Sequence, residues 1–189
     1  MQFLWRPTSH FNLANLVTMA NVTCGLLAAY FITQEQFILA SALAWAGGAF
    51  DIMDGKIARK FALSNEFGVQ LDSFADFLSF VLVPVFFIFQ AVYTDLSGVP
   101  LIITTIASIY YVISGLRRLI QFNINADAGE VAKYFTGVPT PLGAILLWLV
   151  WLGSGFIGWI GVLALMVIIG TLYCLAASAI EMGCPYKCL

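Results

Sequence analysis

Between Leu13 and Ile180 the chain is a succession of apolar runs, most of them long enough to cross a bilayer. A spanning helix needs ~20 apolar residues to traverse the hydrocarbon core. Six stretches are candidates: Leu13–Ile32, Phe37–Ile57, Val69–Val92, Val99–Ile120, Val138–Leu152 and Phe156–Ile180. The fifth is short, and Gly137, Pro139 and Pro141 crowd its start. The runs are continuously apolar rather than alternating, which favours helices over a closed β-barrel. Composition agrees: 61% of the 189 residues are hydrophobic and 10% are charged, where a soluble domain has roughly a quarter charged. The expected fold is an all-α integral membrane protein with six transmembrane helices in one bundle, residues 1–189 forming a single membrane domain. Met1–Asn12 is polar and mixed and does not read as a cleavable signal. It is either a short interfacial piece or a tail.

Orientation follows from the cations. The eight basic residues are Arg6, Lys56, Arg59, Lys60, Arg117, Arg118, Lys133 and Lys187. With six spans, all fall at the termini, or in the second and fourth connections and the span ends that adjoin them. The positive-inside rule then puts both termini in the cytoplasm. No basic tract suggests nucleic acid as a partner.

Within this apolar chain, "FDIMDGKIARKFALSNEFGVQLDSFADF" (residues 50–77) carries Asp51, Asp54, Asp72 and Asp76. Spacings of three and four put each pair on one helical face. Neighbouring antiparallel helices can aim both pairs into one pocket. A charge at membrane depth costs ~2.5–3.5 kcal/mol or more on insertion scales, so the cluster requires counter-charge. Clustered carboxylates are hard ligands suited to Mg²⁺, Mn²⁺ or Ca²⁺ rather than Zn²⁺, with two ions able to share them. Gly55 follows Asp54 directly, Gly68 precedes Asp72 by a turn, and Ala58 keeps the same face small. Gly47 and Gly48 upstream suit close helix packing. Mg²⁺ bound by few carboxylates commonly also takes substrate phosphate oxygens. With Arg59 as a bidentate phosphate contact, a diphosphate ligand is implied. Asn15, Thr18 and Asn21 recur every three residues along one face of the first helix. They either touch the nucleotide or serve as interhelical hydrogen-bonding residues.

The pattern Asp51-x2-Asp54-Gly55-x2-Ala58-Arg59-x8-Gly68-x3-Asp72-x3-Asp76 resembles the signature of the CDP-alcohol phosphatidyltransferases. The resemblance implies six membrane helices and a divalent-metal site open to the cytoplasm, where an alcohol displaces CMP from a CDP-linked lipid. It implies Asp51, Asp54, Asp72 and Asp76 as metal ligands and Asp76 as the general base for the incoming hydroxyl. Gly55, Ala58, Arg59, Gly68 and Asp72 would line the CDP site. It also implies a homodimer.

"NLVTMANVTCGLLA", "SNEFGVQLDSFADFLSF", "RLIQFNIN" and "YFTGVPTP" are further similar to the serine-using members of that family, the bacterial and archaeal phosphatidylserine synthases. That resemblance runs from Asn15 to about Gly143 and leaves out the last helix. It implies CDP-diacylglycerol and L-serine as substrates, in a prokaryotic cell membrane. The serine carboxylate would be met by Arg118, Arg117, Lys133 and Asn123. Gln121 departs from the pattern, standing where a second basic residue is usual. Less positive charge there favours a zwitterionic acceptor over glycerol phosphate or inositol phosphate, the alternative acceptors.

A divalent-cation channel or transporter is the non-enzymatic alternative, but the chain shows neither internal repeats nor paired broken helices. An intramembrane protease would need a Ser–His pair or a zinc motif. The sole histidine, His10, reads as interfacial. Cys24 and Cys174 read as packing residues, while Cys184 and Cys188 form a lone C-x3-C, a weak metal signal.

Overall fold

The computed structural model describes residues 5, 9, 11–63, 65–127 and 139–181, and the regular structure among them is helical throughout. Five helices among the described residues are long and apolar enough to cross a membrane. They are α1 (Leu13–Thr33), α2 (Phe37–Phe61), α3 (Glu66–Tyr93), α4 (Val99–Asp127) and α5 (Thr140–Glu181). The chain divides into two compact units, Met1–Gln90 and Ala91–Leu189.

In the first unit, asparagines set the helix ends. Asn12 caps α1, accepting from the Asn15 N–H at 2.9 Å. Its Nδ2 donates to the Leu63 carbonyl at 2.8 Å, so one buried side chain starts α1 and fixes the α2–α3 connection. α2 closes with Ala62 in the left-handed region, at φ 51. Arg59 and Lys60 lie in its last turn, where cations complement the helix dipole. Asn65 caps α3 by accepting from the Gly68 N–H at 2.7 Å, and its Nδ2 donates to the Ser9 carbonyl at 3.1 Å. The Trp5 ring meets Phe61 edge-on, with centroids 4.8 Å apart.

The helices of this unit approach closely at small residues. A Cβ on Gly47 would lie 2.8 Å from Asn21 Oδ1, and one on Gly48 would lie 3.5 Å from the Phe80 ring. Both therefore serve helix packing. α3 is irregular: Glu66–Asp76 is α-helical, Phe77–Leu82 is a π-helical wide turn, Val83–Ile88 returns to α, and Phe89–Tyr93 widens again. The Val83 N–H bonds to the Leu78 carbonyl, five residues back. Pro84 explains the location of the first wide turn. Proline has no N–H and its ring crowds the carbonyl four residues earlier; in a membrane helix a local π adjustment relieves both.

In the second unit α4 packs on α5. A Cβ on Gly143 would land on the Tyr173 hydroxyl, and one on Gly170 would sit 3.0 Å from the Tyr110 ring. Tyr173 donates to the Thr140 carbonyl at 3.2 Å, and its oxygen lies 3.5 Å from that of Tyr111. α5 contains 42 residues, which as one straight helix would measure ~63 Å, about twice the hydrocarbon thickness. It is broken at Gly158, whose φ 64, ψ 177 is non-helical and suits glycine alone.

Some expected boundaries shift. α2 runs on to Phe61, α3 begins at Glu66 and α4 continues to Asp127. Hydropathy marks only what suits hydrocarbon, whereas the caps decide where helix stops. The break expected around Gly153–Gly155 falls instead at Gly158, and those earlier glycines remain helical.

Candidate functional site

The first unit assembles an acidic centre from two helices. Asp51 near the end of α2 and Asp72 and Asp76 early in α3 bring one carboxylate oxygen each within 4.8 Å of one another. At that separation two unit charges repel by about 3 kcal/mol per pair at an effective dielectric of 20. Such an arrangement calls for cations. Asp54 stands beside this trio rather than in it: it is buried, next to the Thr18 hydroxyl, and interacts electrostatically with Asp51 and Asp72. One oxygen of Asp54 and one of Asp76 are buried without a hydrogen-bond partner. Buried carboxylate oxygens rarely stay unsatisfied. A set of hard oxygen donors with two vacant lone-pair positions fits a divalent cation of the Mg²⁺ or Mn²⁺ kind.

Beside the acids lies a cleft of about 210 Å³. α1 contributes Asn15 and Thr18, the end of α2 contributes Asp54, Gly55, Ala58 and Arg59, and the start of α3 contributes Gly68 and Asp72. Of the residues singled out for the nucleotide, Asn15, Thr18, Gly55, Ala58, Arg59, Gly68 and Asp72 line a single cavity, and Asn21 does not. Arg59 is exposed at its mouth, and Asp72 is exposed while Asp51 and Asp76 are half-buried. The acidic end is thus reachable from the open side.

The two glycines of the cleft differ physically. A Cβ on Gly55 would meet only the Arg59 Nη2 at 4.0 Å, so this face is open. A Cβ on Gly68 would lie 2.5 Å from Asn15 Oδ1 and 3.0 Å from Asn65 Oδ1. Gly68 is small because the protein itself approaches it. The polar face of α1 also divides. Asn15 and Thr18 line the cleft, while Asn21 is fully buried and accepts from Ser79 Oγ at 2.8 Å.

The residues expected at the acceptor belong to the second unit. Arg118 is buried and Asn123 is half-buried, and Arg117 donates from Nη1 to Cys174 Sγ at 3.3 Å. Cys174 is thus a hydrogen-bond acceptor as well as a packing residue. Lys133, His10, Cys184 and Cys188 lie outside the described residues. Two residues that shape the cleft escaped the sequence reading, Asn12 and Asn65. Each is an asparagine immediately before a helix, which is the usual N-cap signal.

The model of the CDP-alcohol phosphatidyltransferase family matches residues 11–173. Among curated proteins, the chain is 28% identical to a CDP-diacylglycerol–serine O-phosphatidyltransferase of Helicobacter pylori, over 70% of this chain and 54% of that protein. It is 32% identical to the Bacillus subtilis protein of the same name, over 70% of this chain and 71% of the relative. It is 31% identical to an archaetidylserine synthase of Methanothermobacter thermautotrophicus, over 74% of this chain and 58% of that protein. The match thus spans little more than half the length of the first of these relatives.

Proposed function

The chain belongs to the CDP-alcohol phosphatidyltransferase family, and from that premise we propose that it transfers a phosphatidyl group from CDP-diacylglycerol to L-serine, giving phosphatidylserine and CMP. The observation that carries the reading is the single cleft uniting the nucleotide-site residues of α1, α2 and α3 at the edge of the Asp51–Asp72–Asp76 trio. The names of the relatives support serine as acceptor.

Asp51, Asp72 and Asp76, with Asp54 beside them, would hold one or two Mg²⁺ or Mn²⁺ ions. When bound by these carboxylates, such an ion would supply charge neutralisation of the diphosphate and of the departing CMP. The chain's own residues do the remainder. Arg59 grips a phosphate bidentately. Gly55 and Ala58 leave the diphosphate room, and Asn15 and Thr18 face the nucleotide. The serine oxygen attacks the lipid-side phosphorus, and the bond from that phosphorus to the CMP oxygen breaks. Asp76 accepts the hydroxyl proton and passes it to solvent. Such substitutions rest mainly on positioning and charge stabilisation. Arg118, which matches a basic position of the family pattern, is assigned to the serine carboxylate together with Arg117, Asn123 and Lys133, the other polar partners available on the proposed cytoplasmic face.

In the membrane, α5 crosses twice, once on each side of Gly158, which gives six spans with both termini and the site on the cytoplasmic side of a prokaryotic cell membrane. The protein acts as one membrane domain and as a homodimer. A different acceptor, inositol phosphate or glycerol phosphate, is the second reading for the same chemistry. The archaetidylserine synthase among the relatives makes an ether-linked CDP-lipid the alternative donor.

The test is CMP release from CDP-diacylglycerol by the purified protein, with and without EDTA, across serine, glycerol phosphate, inositol phosphate and inositol. Serine-dependent release that EDTA abolishes is expected. Release with a phosphorylated acceptor and none with serine would overturn the assignment.

A further inference from the structure

We propose that Asn21 and Ser79 form a positioning pair that fixes the wide turn of α3 and so holds Asp76 beside Asp51. Asp76 is the last residue before the wide turn, and Ser79 lies three residues later, inside it. Asp76 faces α2, where its side chain meets Asp51. Ser79 faces α1, where its hydroxyl donates to Asn21 Oδ1 at 2.8 Å. In a regular helix, positions three apart share one face. The wide turn is what lets Asp76 and Ser79 address different neighbours. π turns of this kind recur at functional sites.

Both sides of the pair are cleared for it. A Cβ on Gly25 of α1 would lie 3.2 Å from Ser79 Oγ, and one on Gly47 of α2 would lie 2.8 Å from Asn21 Oδ1. The pair sits one helical turn from the site on all three helices: Asn21 follows Thr18, Gly47 precedes Asp51 and Ser79 follows Asp76. Asn21 is 0% exposed, and its Nδ2 has no hydrogen-bond partner. Pro84 is accommodated by the wide turn, and the Asn21–Ser79 bond sets how that turn is rotated.

The inference rests on the metal reading of the acidic trio, so the primary readout is Mn²⁺ affinity, measured by electron paramagnetic resonance of free Mn²⁺ with the full-length protein in detergent. Residues that orient metal ligands typically change affinity 10–100-fold when removed. Ser79→Ala and Asn21→Ala are each expected to weaken Mn²⁺ binding by about 10-fold or more while still melting cooperatively. Ser79→Thr, which keeps the hydroxyl, is expected to restore it. Alanine variants that fold and bind Mn²⁺ as tightly as the wild type would overturn the pair's role and leave the metal site standing. Loss of folding in both alanine variants would make the pair a packing element and overturn it as well. Absence of Mn²⁺ binding by the wild type would overturn both readings together.

Discussion

Two glycines of one cleft are expected to respond in opposite ways to the same added methyl group. At Gly55 the new Cβ meets nothing closer than the Arg59 Nη2 at 4.0 Å. Gly55 lies inside α2, so replacing it with alanine gains up to about 1 kcal/mol of helix stability. For a chain of this size that is a rise of about 2–4 °C in Tm. The methyl then occupies the open face of the cleft, where the diphosphate is proposed to lie. Overpacking costs about 1–3 kcal/mol, so KM for CDP-diacylglycerol is expected to rise about 5- to 150-fold. At Gly68 the Cβ would lie 2.5 Å from Asn15 Oδ1 and 3.0 Å from Asn65 Oδ1. Both amides must move, and Asn65 then gives up its cap on α3. Overpacking of about 1–3 kcal/mol and a lost cap of about 1, less about 1 of propensity, leave a net loss of about 1–3 kcal/mol. Thermal melts in detergent and CMP release in mixed micelles read both effects. A Gly55→Ala protein with wild-type KM for the CDP-lipid would refute placing the diphosphate against that face.

Asp76→Asn is expected to abolish turnover while CDP-lipid binding stays detectable, since the proton acceptor goes and the cleft residues remain; wild-type turnover would remove Asp76 from the mechanism. Treatment with EDTA should silence the protein, and Mg²⁺ or Mn²⁺ should restore it, because the donors are hard carboxylate oxygens; full activity in excess chelator would count against a metal-dependent reaction. Asn12→Ala removes both the α1 cap and the bond to the Leu63 carbonyl. It should cost about 1–3 kcal/mol, seen as a lower Tm. Gly143→Ala would drive a methyl into the Tyr173 hydroxyl, and it is expected to lower Tm more than an alanine at Gly153, where nothing lies within 4 Å.

The aspartates were legible because helical spacing is a strong constraint. Residues three or four apart must share a face, and an apolar chain has few places to put four acids. The glycine pair was legible as small, but not for which reason. That Gly55 opens a cleft while Gly68 accommodates two asparagines depends on the partner helix. The same limit applied to Asn15, Thr18 and Asn21. Their spacing places them on one stripe, yet the irregular course of α3 decides which of them faces the cleft and which meets Ser79. Pro84 signalled that irregularity, since a proline amid a spanning helix must be accommodated somehow. Asn12 and Asn65 carried a readable capping signal that the apolar pattern overshadowed. Within "GSGFIG", nothing in the residues singles out Gly158 as the one with positive φ.

The hold of Asn65 on the Ser9 carbonyl, together with the Trp5–Phe61 contact, bears on how the protein is handled. Ser9 and Trp5, ahead of α1, are thereby tied to the elbow that leads into Gly68. A bulky fusion or purification tag attached upstream would pull on that elbow.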